Sequence, residues 1–154
     1  MTDKLDPHGA DLLLRLYEMR RETRLRRARE WLLGNFWADN YEEFVAICPA
    51  GTEENASYRQ TTTYWDMVAA IVNRGMVDEN LYFETTMESL ITWLRVKNIA
   101  LQVRKMRKNP LILRNLEILA GKHERWLASR APEAVDEIRK GIETMRKKAA
   151  AEKY

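Results

Sequence analysis

One cysteine, two histidines, six glycines and four prolines are spread over 154 residues. Each scarcity excludes something. The lone Cys48 forms no intrachain disulfide and no multi-thiolate zinc site, and it fits a reducing, cytoplasmic compartment. His8 and His123 stand far apart and no Glu-x-x-His spacing occurs, so the di-iron bundle pattern is missing. The glycines are single, which removes the P-loop and the dinucleotide fingerprint. These gaps predict no metal and no cofactor. Long apolar runs are lacking too. The N-terminal "DLLLR" offers three leucines before Arg15, too few for a signal peptide or a membrane span. No segment alternates apolar and polar residues long enough to make a strand.

What remains is rich in Ala, Leu, Glu, Lys, Arg and Met, a helical composition. A chain of this length buries roughly 68–70% of its unfolded surface and needs no covalent staple. We expect a single all-α domain over residues 1–154, with 1–9 and 150–154 frayed. Five to six helices should surround a buried central one.

Apolar spacing and stop signals place them. A first helix runs from about residue 10 into the mid-40s, with a break near Gly34-Asn35 and a stripe of Leu14, Tyr17, Arg21, Leu25, Ala28 and Leu32. Pro49 ends it. "SYRQ" at 57–60 matches a capping box and opens a stripe of Tyr58, Thr61, Trp65, Val68, Ala69, Val72 and Met76. Gly75 supplies the positive φ of a helix stop, and Asp78 caps a short helix over 79–84. Thr85 and Glu88 form a second capping box. The helix behind it, 86–107, is apolar nearly all round and is the expected centre. Asn109-Pro110 starts a helix to about Ser129, with Ile112, Leu116, Leu119, His123 and Trp126 on one stripe, antiparallel to the central helix. Pro132 opens the last one, striped by Val135, Ile138, Ile142, Met145 and Ala149.

Charge is segregated although the net is only +3. Residues 15–29 hold seven Arg against two Glu, 39–94 hold ten acids against two Arg, and 95–108 hold six bases and no acid. Either these segments neutralise one another, or the basic ones make a patch for phosphates or an acidic partner. At about 100° per residue, Arg20, Arg21, Arg24 and Arg27 share a third of a continuous helix circumference. The segment 73–84 has a stop-start outline like a helix-turn-helix, but a helix beginning "DENLYFE" repels phosphate.

The run "YWDMVAAIVNRGMVDENLYFE", then Trp93, then "NPLILRNLEILA" resembles a small bacterial all-helical family catalogued only as a domain of unknown function. The resemblance spans about 58–120 and rests on fold-determining residues. It implies an all-α fold and a bacterial or phage-like source, and it supplies no activity. Some members of that family begin with a membrane-spanning helix, a pattern from which this sequence departs.

Three functions follow. The leading one is a non-catalytic helical interaction or scaffold protein, self-associating or with a protein partner. The second is a nucleic-acid-associated protein that places Arg20, Arg24, Arg27, Arg104, Lys105, Arg107 and Lys108 on phosphates. The third is an enzyme with a pocket around His123, which requires an open cleft and a carboxylate within hydrogen-bond reach.

Overall fold

The computed structural model describes residues 5–154. Among these there are eight helices and no strand: α1 (Pro7–Arg20), α2 (Thr23–Asn35), α3 (Tyr41–Ile47), α4 (Glu53–Asn73), α5 (Glu79–Thr85), α6 (Glu88–Arg107), α7 (Arg114–Arg130) and α8 (Ala134–Ala151). The all-α expectation holds. The count of five to six does not, because the N-terminal segment divides into three.

Side-chain capping causes that division. The Glu22 carboxylate accepts from the backbone N–H groups of Arg24 and Leu25, each at 3.0 Å, and starts a fresh helix where the apolar stripe predicted continuation. The break expected near Gly34-Asn35 is present. Beyond it, Asn40 accepts from the Glu43 N–H at 2.9 Å and Glu43 accepts from the Asp39 N–H at 2.8 Å, which nucleates α3. At the other end of the segment α1 starts at Pro7, earlier than expected, with Asp6 as its cap.

The middle of the chain follows its punctuation more closely. Gly75 has φ 77°, and the Met76 N–H donates to Ile71 O at 3.3 Å, the long bond of a glycine stop. Asp78 accepts from the Leu81 N–H at 2.8 Å. Neither capping box is used. Thr52, not Ser57, caps α4, accepting from the Asn55 N–H at 3.2 Å. The Thr85 hydroxyl donates back to Leu81 O at 2.8 Å, and Glu88 turns away to Arg29. Asn109 accepts from the Leu111 N–H at 3.0 Å, but turns occupy the next residues and α7 begins only at Arg114.

The buried apolar residues form one contiguous cluster. Its axis is α4, which packs against α2 on one side and α7 on the other and touches α5 and α6. The predicted stripe Tyr58, Thr61, Trp65, Val68, Ala69 and Val72 is buried as spaced, while Met76 lies outside it. The expected centre, α6, is more peripheral. It buries Leu90, Trp93, Val96 and Ile99 against α7 and α3 but exposes Leu101 and Met106. Apolar residues all round the helix did not make it central, because Asn98, Lys105 and Lys108 share the side that carries Leu101 and keep that side in solvent.

Candidate functional site

The predicted phosphate contacts separate. Arg20 ends α1 and stacks on Tyr17, 4.5 Å from the ring centroid, so it shares no face with Arg24 and Arg27 on α2. Those two are exposed, beside a cleft that also carries Glu22 and Glu53. Arg104 is committed internally: Nε donates to Ile112 O at 2.8 Å and the guanidinium pairs with Glu117. Lys105, Arg107 and Lys108 are exposed at the end of α6. They do not meet the α2 group. Arg29 of α2 pairs with Glu88 at the start of α6, and Arg95 farther along reaches the end of α2, so the two helices run the same way. Lys105 is then about 25 Å along α6 from the Arg29 level at 1.5 Å per residue. One continuous basic face does not form.

His123 is closed in. It is 1% exposed, stacked on Phe83 at 4.4 Å between centroids and edge-on to Trp126 at 6.1 Å. Neither ring nitrogen has a hydrogen-bond partner among the described residues, so the carboxylate that an active base requires is not in place. Burial pushes its pKa down to about 4, which keeps the ring neutral. Cys48 is buried as well, and burial, then the charge of Glu54, pushes its thiol up to about 11. A thiol held that high carries almost no thiolate at neutral pH. Among the described residues no group of three or more His, Cys, Asp or Glu is placed to hold a metal ion.

Two arginines outside the predicted phosphate set carry the most organised polar geometry. Arg29 donates Nε and Nη2 to the two Glu88 oxygens at 2.7 and 2.5 Å, and Nη1 to Arg20 O at 2.7 Å. It thus ties α2 to α6 and to the end of α1. Arg95 is buried and forms no ion pair among the described residues, although Asp39 and Glu143 line the same small cleft. Its N–H groups go to Leu33 O at 2.8 Å, Leu32 O at 3.0 Å and Phe36 O. The negative end of the α2 dipole takes the place of a counter-ion. Burial, then the charge of Arg146, pulls its pKa down to about 10, so it stays protonated at neutral pH. The one sequence signal for Arg95 was a cation inside an apolar helix.

The remaining organised feature is the outer side of α1. The predicted stripe placed Leu14 and Tyr17 inward. They face out instead, 62% and 45% exposed, with Met19 at 49%, while Leu16 is buried. The break at Arg21–Glu22 lets α1 rotate relative to α2. Leu16 O accepts a 2.5 Å hydrogen bond from the Tyr64 hydroxyl. Gly9 sits against the Gly75 turn, where an added Cβ would lie 3.0 Å from Met76 O. Beside α1 runs a groove of about 290 Å³, floored by Trp65, Val68 and Tyr82, walled by Leu13 and Tyr17, with Arg20 bordering it. It holds no carboxylate or histidine, so it offers shape and apolar surface rather than reactive groups.

No helix among the described residues is long and apolar enough to cross a membrane. No curated protein and no solved structure matches the chain. A family model described as a domain of unknown function (DUF4760) matches residues 7–126. That span runs from the start of α1 into α7 and leaves α8 outside. It extends well beyond the 58–120 stretch that carried the resemblance, and takes in the α1 groove, the Arg29–Glu88 pair and Arg95. The chain belongs to this DUF4760 family.

Proposed function

We propose that this chain is a non-catalytic helical interaction protein that self-associates through the outer face of α1. One observation carries the reading: Leu14 and Tyr17 stand exposed on the rim of an apolar groove that Arg20 borders. Contiguous apolar surface of this kind marks contact sites. Tyr and Arg are residue types that interfaces favour. The occupant we assign is a second copy. A two-fold interface must be self-complementary, and α1 carries Asp11 and Glu18 beside Arg15, Arg20 and Arg21.

Sedimentation velocity over a concentration series tests this. The wild-type chain should shift to dimer as concentration rises, and Leu14→Glu with Tyr17→Glu should hold it monomeric with an unchanged thermal melt. A wild-type chain that stays monomeric throughout removes the self-association. Saturable turnover of a substrate by the pure protein removes the non-catalytic part.

Nucleic-acid binding is the second reading. The exposed Arg24, Arg27, Lys105, Arg107 and Lys108 favour it, as two separate contacts rather than one face. It predicts a gel shift that weakens steeply with salt.

A further inference from the structure

A second cavity lies away from the α1 groove, between α3, α4, the end of α6 and the turn before α7. It is the largest of the chain's described cavities, about 440 Å³. That falls within the roughly 300–1,000 Å³ of small-molecule sites. It is well above the roughly 150 Å³ left by deleting one large core side chain.

Its walls are built for an apolar body. Phe44 and Tyr58 meet edge to face at 4.8 Å, and Tyr41 packs on Phe44 at 5.8 Å. Val103 and Ile112 close the opposite side. Two cations, Arg59 and Arg107, border the space, and no carboxylate lines it. Glu54 influences Cys48 but is not among the lining residues. Arg59 is held in place: its Nε donates to Asn55 Oδ1 at 2.9 Å, while the Asn55 amide donates to Cys48 O at 3.0 Å. Its terminal nitrogens make no bond among the described residues, and Arg107 pairs with no acid there, so both heads are available to an anion. The basic run at the end of α6 therefore divides. Arg104 turns inward to Glu117, and Arg107 turns over this cavity.

We infer that this cavity binds a small amphiphile with one anionic head and an apolar body, the head between Arg59 and Arg107 and the body against Phe44, Tyr58 and Val103. Aromatic and aliphatic walls remove the tail from water. The guanidiniums give the anionic head charge-assisted hydrogen bonds that an uncharged head group does not match.

Isothermal titration of the 154-residue chain tests this with three probes that share a ten-carbon tail, each kept below its micellar or solubility limit: decanoate, decanol and decyltrimethylammonium. Decanoate should bind one per chain and weaken as salt rises. Decanol should bind about tenfold or more weakly and the cation not at all, the gap expected for charge-assisted bonds to the head. Arg59→Gln with Arg107→Gln should erase the preference for decanoate over decanol. Val45 lies on the same wall and is 44% exposed, so Val45→Trp fills the space with little risk to folding. That variant, checked by circular dichroism, should lose both ligands. Equal binding of decanoate and decanol, decanoate binding retained by a folded Val45→Trp chain, or no binding of any probe overturns the inference. None of these outcomes depends on the α1 surface.

Discussion

Arg95 stacks on Trp37, its guanidinium carbon 3.5 Å from the centroid of the indole ring, and donates to three carbonyls at the end of α2. One side chain thereby caps a helix, fills a buried site and joins α6 to the α2–α3 loop. Arg95→Met should cost about 3 kcal/mol, because it leaves the Leu33 and Phe36 carbonyls without that donor, while Leu32 O keeps only the Phe36 N–H. Arg95→Lys should cost nearly as much, since a single ammonium does not reproduce the fork. Urea unfolding measures both. A loss for Arg95→Met below about 0.5 kcal/mol, the level of an ordinary surface change, would show that water satisfies the carbonyls instead.

His123 makes stability depend on pH. Its folded pKa of about 4 lies below the ordinary value of 6.5, so the unfolded chain binds the extra proton between those limits. The fold bears no protonation cost from this ring above pH 6.5 and loses stability as pH falls from there toward 4. His123→Leu should flatten the curve in that window. It should also stabilise the fold at pH 7, since two unpaired buried nitrogens are removed. Denaturant midpoints at pH 4.5 and 7 decide it. Equal pH slopes in the two chains would place the titration elsewhere.

The Arg29–Glu88 pair is half-buried and two-pronged. The bond to Glu88 holds the Arg29 pKa above its ordinary value despite partial burial. A double-mutant cycle on Arg29→Met and Glu88→Gln should give a coupling of about 1–2 kcal/mol. The Lys140–Glu137 pair, 73% and 66% exposed, should give close to zero. Coupling of the same size in both pairs would contradict the weight placed on burial.

Gly9→Ala tests how α1 is seated. In an open helix this change stabilises by roughly 0.5–1 kcal/mol. Here the new Cβ meets the Met76 backbone oxygen at 3.0 Å, and a carbonyl in a tight turn has little room to yield. The sign should reverse, with a loss of about 1 kcal/mol or more, the cost of overpacking. If the α1 face carries the dimer, the same variant should weaken association. A stabilised variant would mean that α1 rides loosely on the turn.

Local signals were legible where the chemistry is local. Gly75 and Asp78 were readable because a positive φ and a cap each concern three or four neighbouring residues. The α4 stripe was readable because 3.6-residue spacing tolerates little else around Trp65. The two capping boxes failed for the same reason in reverse. Thr85 found the Leu81 carbonyl and Glu88 the Arg29 guanidinium, 59 residues away in sequence, while the box at 57–60 lies inside α4, which the Thr52 cap had already started. Of the residues proposed for phosphate, Arg104 is engaged internally, because the turn before α7 brings it against Glu117.

By itself, then, the sequence determined that this is a bundle of helices held by apolar stripes, and where most of those helices stop. Backbone hydrogen bonding and side-chain periodicity are short-range, so they can be read along the chain. Only the tertiary structure decided that α4 forms the axis, that Leu14 and Tyr17 face outward, that Arg95 is held by a helix end, and that Arg59 and Arg107 border one cavity. Those outcomes rest on how rigid helices rotate about their links to exclude water, and one extra cap at Glu22 was enough to turn an apolar stripe from the core to the surface.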